Sequence, residues 1–404
     1  MLQGESTIER AFWQVRKKSL TVGVRLCQNE AKDMNRITSI DALRGFDMLM
    51  LCGGAATLHL LLLWLGDGEL NATVAEQFRH AEWGGAFTCW DLVMPLFIFI
   101  TGASMPFAFA KYREKGGERW RLGTTWRVVR RVALLFVLGM LVQGHLAGAV
   151  AEHMSLFCNT LQAIAEGYLI AAVVLMFCKL RGQIISCVFL MAVYWALLRF
   201  VPFGDYPAGT MERDHNLALY LDQWLLGSWQ DGTPYSWVLT AFSFGALTLM
   251  GSVCGTLIRA RQGMRTVGVL VAVGAACLGG ALLLEFDTPI VKHIYTTTAV
   301  LWSGGWCVLL LALFHLLFDC CGKGVRVLAF PLQVIGCNAL LAYLLTEIHG
   351  PHGHSIWWGV AHPLVYGLSS QAEGAEALVH AALSLLLLWL VLLFLYRHKA
   401  YLRV

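Results

Sequence analysis

A histidine and an aspartate stand at the start of an apolar stretch in FRHAEWGGAFTCWDLVMPLFIFITGASMPF. His80 precedes this stretch and Asp91 opens it. Histidine, with an ordinary pKa of about 6.5, suits proton exchange near neutral pH. A neighbouring carboxylate could fix the tautomer of the ring and stabilise the imidazolium as it forms. The two residues are therefore candidate catalytic residues, although an interfacial histidine and a helix-capping aspartate would give the same pattern.

A second group of charges lies in SIDALRGFDM, at the start of the preceding apolar stretch. Asp41 and Arg44 are three residues apart, which is the spacing of neighbours on one helix face, so an ion pair between them could be purely structural. Arginine also binds phosphate through paired hydrogen bonds, which makes Arg44 a candidate contact for an anionic cofactor. The sequence leaves both interpretations open.

Three amide side chains lie within apolar stretches, where polar groups are costly. Asn159 and Gln162 occur in NTLQAI, and Asn338 occurs in GCNALLAY. They are candidate cofactor-binding residues, and Asn338 could also donate a hydrogen bond to a developing oxyanion. The alternative is that they form hydrogen bonds between helices, which is the commoner use of such residues.

A group of histidines in TEIHGPHGHSIWWGVAHP raises the question of a metal site, because imidazole binds zinc and copper. No pattern of supporting residues accompanies them, and histidine beside tryptophan is ordinary at a membrane boundary. We predict no metal here. The residues concerned are Glu347, His349, His352, His354 and His362.

The elements that must position these residues are membrane-spanning helices. The chain is 57% hydrophobic and 14% charged, which excludes an average soluble domain. Its apolar blocks have the length of about 20 residues that crosses a bilayer as a helix. We therefore predict an all-α polytopic membrane protein with about ten transmembrane helices, near residues 41–65, 91–110, 127–146, 157–178, 183–201, 236–257, 266–284, 297–318, 329–348 and 375–396.

The distribution of basic residues predicts the orientation of these spans. All but four of the 30 lysines and arginines lie on one side of the predicted spans, and the exceptions are Arg79, Arg199, Arg213 and Lys292. By the positive-inside rule, both termini are cytosolic. Orientation thus explains the basic residues without a nucleic-acid partner. The basic stretch 111–131 is predicted to contact lipid phosphates, or alternatively to attract an anionic cofactor.

Two regions follow from this pattern. Residues 1–35 are polar and form a predicted cytosolic N-terminal tail, and residues 36–404 form a predicted transmembrane domain. No soluble domain of useful size is present, so any chemistry outside the membrane must lie in the loops on the non-cytosolic side.

An ordered set of motifs resembles a known enzyme family. They are RITSIDALRGFDMLM, HAEW with DLVMPLFIFITGASMPF, NTLQAIAEGYLI, PIVKHIYTTTAVLW, FPLQVIGCNALLAYLLTE and YRHKAYLRV. Over residues 36–404 the chain is similar to the heparan-α-glucosaminide N-acetyltransferase family, and to its bacterial members in particular. In that family the active-site histidine matches His80 and an acidic residue matches Asp91.

The resemblance implies a transmembrane acyltransferase that moves the acetyl group of cytosolic acetyl-CoA to the amine of a glucosamine-like sugar on the other side. It also implies a bacterial inner-membrane location and makes a homodimer plausible. His80 would act as a general base on the acceptor or as a nucleophile that carries the acetyl group. The alternative function is transport of a sugar or amphiphile without any chemistry.

Overall fold

The computed structural model describes residues 37–66, 68–113, 119–144, 155–260, 263–349 and 354–402, which are mostly helical and contain no strand. The predicted tail, residues 1–35, lies outside these ranges. Residues 39–404 form one compact unit. Its α-helices are α1 (Thr38–Leu49), α2 (Ala55–Trp64), α3 (Gly68–Gln77), α4 (Val93–Arg113), α5 (Arg119–Val142), α6 (Thr160–Phe177), α7 (Leu180–Phe200), α8 (Leu217–Leu226), α9 (Ala241–Arg259), α10 (Met264–Leu284), α11 (Thr297–His315), α12 (Lys323–Arg326), α13 (Phe330–Gly336), α14 (Ala339–Glu347), α15 (Ile356–Ser369) and α16 (Glu376–Arg397).

The described helices confirm an all-α polytopic membrane protein but revise the number of spans. Eight are long and apolar enough to cross a membrane, and the pair Gly324–Gly336 and Ala339–Glu347, bent by 53°, gives up to nine. The predicted span 127–146 falls on α5 and is not among them. The last eighteen residues of α5 contain three arginines, so this helix does not meet the criterion of composition. Among the described residues the structure thus gives eight or nine such helices, where about ten were predicted.

The first span is not one regular helix. Between α1 and α2 the residues Met50–Gly54 form a π-helical segment in which Gly53 has φ 117°. This backbone conformation is open to glycine and strained for other residues. Met50, the first residue of this segment, lines a cavity described below.

The centre of the unit is the close contact between α4 and α9. Glycines allow their backbones to approach: a Cβ added at Gly251 would lie 2.0 Å from the carbonyl oxygen of Phe99, and one at Gly255 would lie 2.1 Å from that of Ala103. Small residues are the usual means of close helix packing in membranes. Because α4 follows Asp91 directly, this contact fixes the position of the candidate site relative to the buried core.

Candidate active site

Asp91 lies in a short 3-10 turn, Trp90–Leu92, immediately before α4, and it is fully buried. Its Oδ2 atom accepts hydrogen bonds from the backbone N–H groups of Ala81, at 3.1 Å, and Thr88, at 3.2 Å. The hydroxyl of Thr88 lies 3.0 Å from the same oxygen. One carboxylate oxygen is thus satisfied by its own loop, and this leaves Oδ1 for other partners.

Lys292 supplies the charge that opposes Asp91. Its Nζ atom lies 2.6 Å from Asp91 Oδ1 and 2.8 Å from Nδ1 of His80. The distance from His80 Nδ1 to Asp91 Oδ1 is longer, at 3.4 Å. The three residues therefore form one cluster in which the lysine is the closer partner of both other side chains.

The loop between α10 and α11 holds Lys292 in place through its backbone. Tyr295 has φ 43°, a left-handed conformation that is uncommon for a residue other than glycine. Two buried hydroxyls secure the turn: Tyr194 donates to the carbonyl of Ile294, and Ser243 donates to that of Tyr295 at 2.8 Å. Thr296 caps α11 by accepting from the N–H of Ala299.

Exposure differs sharply within the cluster. The side chain of Asp91 is 0% exposed and that of Lys292 is 7% exposed, whereas that of His80 is 59% exposed. Burial removes water from the Lys292 ammonium and lowers its pKa, and the attraction of Asp91 opposes part of this effect. The imidazole is therefore the member of the cluster that an external molecule can reach. The buried side chains of Asp91 and Lys292 lie next to its Nδ1 atom.

His293 lies between two aromatic rings beside the cluster. Its ring is stacked on Trp83, with centroids 5.2 Å apart, and lies 4.8 Å from the ring of Tyr235. Burial, with repulsion from Lys292 as the second cause, lowers the pKa of His293 to about 4. His293 is therefore neutral near pH 7 and adds no positive charge to the cluster.

A cavity of about 460 Å³ opens next to the cluster. Trp90 and Leu92, on either side of Asp91 in the chain, form part of its wall, and the ring of Trp90 lies 6.3 Å from that of His80. Asp47 of α1 also lines it; this residue is 1% exposed, and its Oδ2 atom has no hydrogen-bond partner among the described residues. The volume lies in the range of ordinary ligand pockets.

The two amides predicted to bind a cofactor have other partners in the structure. Asn159 caps α6 by accepting from the N–H of Leu161, at 2.9 Å, and donates to the carbonyl of Gly139 at 2.6 Å. Gln162 accepts from the N–H of Cys158 at 2.7 Å and donates to Leu156 at 2.8 Å. These contacts support a capping role, and cofactor binding by either residue stays a prediction.

Arg44 and Asn338 likewise have partners within the protein. Arg44 forms the ion pair with Asp41 at 3.3 Å that their spacing allows, and it donates to Ser104 Oγ at 2.6 Å. The Asn338 amide donates to the carbonyl of Ala400 at 3.0 Å, so it ties the C-terminal segment to the break between α13 and α14. A phosphate contact for Arg44 and an oxyanion contact for Asn338 remain predictions.

The histidine-rich loop is partly outside the described residues, which leave out His352. Within the ranges that the structure covers, no group of three or more His, Cys, Asp or Glu residues has the arrangement of a metal site. His362 and His380 form a hydrogen bond of 2.9 Å between Nδ1 and Nε2.

Sequence comparison gives one relative at low identity. The chain is 26% identical over 147 residues to the human heparan-alpha-glucosaminide N-acetyltransferase, a match that covers 36% of this chain. It spans only 20% of the length of that enzyme. No family model matches the chain. The similarity indicates a distant relationship to an acetyltransferase.

Lys292 is the member of the cluster that sequence reasoning did not assign to the site. Asp91 has no cation near it in the chain, and Lys292 is 201 residues away. The available signal was the position of this lysine in the sequence: it is one of the four basic residues predicted to lie on the side of the membrane where the positive-inside rule disfavours them. A buried lysine at such a place requires a carboxylate partner.

Proposed function

We propose that this protein is a membrane-embedded acyltransferase that moves the acetyl group of cytosolic acetyl-CoA to the amine of a glucosamine-like sugar on the opposite side. The observation that carries the proposal is the cluster itself: an exposed imidazole, His80, rests on a buried ion pair of Asp91 and Lys292. This cluster lies beside an internal cavity. The distant similarity to an N-acetyltransferase supports the same class of reaction.

His80 is proposed to act as the general base. Its Nε2 atom has no hydrogen-bond partner among the described residues, whereas Nδ1 faces the ion pair. The acceptor amine attacks the thioester carbon and passes its proton to the imidazole, and the departing thiolate then takes that proton. General acid–base catalysis of this kind contributes about 10²- to 10⁴-fold to a rate.

The cavity is the proposed route of the acyl donor from the cytosolic side. Most of its lining is apolar, which suits an uncharged arm, and the unpartnered oxygen of Asp47 can accept one N–H group from it. The highly charged nucleotide part of acetyl-CoA would remain at the membrane surface, where Arg44 is a proposed phosphate contact. The residues 114–118 of the basic stretch lie outside the described ranges.

The acceptor is proposed to approach His80 from the exposed side of the cluster. An amino sugar is polar and does not enter the hydrocarbon, so the reaction must occur where the imidazole meets water. The exposure of more than half of the His80 side chain supports this proposal. The location in a bacterial inner membrane, with both termini cytosolic, belongs to the same proposal.

Acetyl transfer by the purified protein tests this function. The protein in detergent is incubated with radiolabelled acetyl-CoA and glucosamine, and labelled N-acetylglucosamine is separated and counted. His80→Ala should lower the rate by about 10²-fold or more, since it removes the base. His215→Ala is the matched control, because His215 is an exposed histidine in a loop rather than in the cluster, and it should retain the rate.

Absence of product with the unaltered protein, or an unchanged rate in His80→Ala, would contradict the proposal. The alternative function, transport without chemistry, predicts a different result. Proteoliposomes containing the protein would then take up glucosamine in the absence of acetyl-CoA.

A further inference from the structure

We propose that Lys292 is a positioning residue that decides which ring nitrogen of His80 carries the proton, and that only the uncharged lysine leaves Nε2 able to act as a base. This inference rests on the proposed function, because it explains when His80 can accept a proton. It concerns the resting protein as well, so it can be tested without turnover.

The argument begins with the closest partner of His80. Lys292 Nζ lies 2.8 Å from Nδ1, a normal hydrogen-bond distance, whereas Asp91 Oδ1 lies 3.4 Å away, near the limit for a hydrogen bond. The carboxylate oxygen is instead 2.6 Å from Nζ. The lysine thus lies between the carboxylate and the imidazole, and its protonation state determines the direction of the bond to Nδ1.

Two arrangements satisfy the same distances. A charged Lys292 has only donors, so it donates to Asp91 Oδ1 and to Nδ1 of His80. The neutral imidazole then carries its proton on Nε2 and has no free lone pair there. An uncharged Lys292 donates to Asp91 and accepts from Nδ1–H, and in this arrangement Nε2 presents its lone pair to the acceptor.

The surroundings favour a lysine that can lose its proton. The side chain is 7% exposed, and burial lowers the pKa of Lys292 despite the attraction of Asp91. Among the groups around it, His293 adds no charge near neutral pH because its pKa is lowered to about 4. Burial and the charges of Asp91 and Asp231 raise the pKa of Tyr235, which stays neutral as well. Arg213 interacts with His293 and is a further cation near this region.

The proton balance of the reaction follows from the uncharged arrangement. As the acceptor nitrogen bonds to the carbonyl carbon, its proton moves to Nε2 and the ring becomes imidazolium. Nδ1–H remains hydrogen-bonded to the lysine amine, which in turn donates to the Asp91 carboxylate. The carbon–sulfur bond then breaks, and the thiolate takes the proton from Nε2. Lys292 ends in the protonation state in which it began.

Two substitutions at position 292 separate this role from simple charge balance. Lys292→Arg keeps the positive charge but has no acceptor atom, so Nε2 remains protonated and the rate should fall by about 10²-fold or more. Lys292→Gln is uncharged, and its amide can donate to Asp91 and accept from Nδ1–H. It should lose much less activity than Lys292→Arg, and its rate should rise at lower pH than that of the unaltered protein.

Nitrogen-15 NMR tests the tautomer directly and needs no substrate. The protein is labelled at histidine nitrogens, and the His80 signals are identified by their loss in His80→Gln. In the unaltered protein the neutral ring should change from Nε2–H to Nδ1–H as pH rises. It should be Nδ1–H throughout in Lys292→Gln and Nε2–H throughout in Lys292→Arg, wherever the ring is neutral.

The same tautomer in all three proteins would overturn the inference, and so would a Lys292→Arg protein as active as the unaltered one. Arg199→Gln is the control, because it removes a cation from an exposed ion pair with Asp287 and should change neither readout. If acetyl transfer fails altogether while the tautomer changes as expected, the proposed function is wrong but the role of Lys292 stands.

Discussion

The start of α4 and the start of α6 both bury polar side chains, and they do so in different ways. At α6, Asn159 and Gln162 are neutral and find their partners within 20 residues of the chain. Asp91, before α4, is charged, and after its own loop has satisfied Oδ2 it still requires Lys292, 201 residues away. Local backbone groups complete the first arrangement but not the second.

The comparison indicates which buried polar group has a role other than stabilising the fold. A capping amide that bonds to its own helix end and to a nearby carbonyl has fewer donors and acceptors left to offer a ligand. A buried ion pair is a poor source of stability compared with apolar packing, so its presence calls for another reason. In this protein Lys292 of the pair lies 2.8 Å from Nδ1 of the exposed imidazole, and its proposed control of the ring tautomer is a chemical reason.

Removing the charge of Asp91 should give the largest effect. Asp91→Asn leaves Lys292 buried without a countercharge, which costs about 3–5 kcal/mol, and it should also lower acetyl transfer by about 10²-fold. Denaturant titration in detergent and the labelled assay measure the two losses. The matched control is Asp287→Asn, whose ion pair with Arg199 is exposed and should matter little. Equal losses of stability and activity in Asp91→Asn and Asp287→Asn would contradict a special role for the buried pair.

The double variant Asp91→Asn with Lys292→Met tests whether the loss of stability comes from the unpaired charge of Lys292. Because it removes both buried charges, it should recover part of the stability that Asp91→Asn loses, while activity stays low. Stability that falls by the sum of the two single effects would show that the residues do not interact.

A smaller effect is expected at α6. Asn159→Ala removes the cap and the bond to Gly139, and it should cost about 0.5–2 kcal/mol of stability. The KM for acetyl-CoA should remain unchanged, because the amide is occupied within the protein. A raised KM with unchanged stability would instead restore the prediction that this residue binds the cofactor.

A pH dependence of stability is expected at His293, and near neutral pH its effect is the smallest of these. In the folded protein this residue stays neutral down to pH of about 4, whereas the unfolded chain binds a proton near its ordinary pKa of 6.5. The unfolded state therefore holds more protons in this window, and stability falls as pH drops from 6.5 to 4. His293→Phe keeps a ring between Trp83 and Tyr235 and should weaken this dependence of the melting temperature on pH. Identical slopes in both proteins would contradict the assignment.

The fold class could be predicted from the sequence, because hydrophobic blocks of bilayer length are typical of membrane-spanning helices. The break at Gly53 could not be predicted, since apolar composition alone does not show where a helix changes its winding. The predicted span 127–146 falls on α5, whose last eighteen residues contain three arginines, so the sequence and the structure differ in how they rate this helix.

The candidate site could be predicted from the sequence only in part. His80 and Asp91 lie in one sequence segment, and their residue types alone raised the question of catalysis. Lys292 reaches them only through the packing of α10 and α11 against the rest of the bundle, which no local spacing encodes. The amides are ambiguous for the opposite reason: a polar residue at the edge of an apolar stretch looks the same whether it caps a helix or contacts a ligand.

The central claim is that His80 completes, on one side of the membrane, a transfer whose donor arrives from the other. Sealed membrane vesicles with the cytosolic face inward, loaded with labelled acetyl-CoA and placed in glucosamine, test it most directly. We predict that labelled N-acetylglucosamine accumulates outside with the unaltered protein and is lost with His80→Gln. Product formed only when donor and acceptor are on the same side, or product that does not depend on His80, would contradict the account.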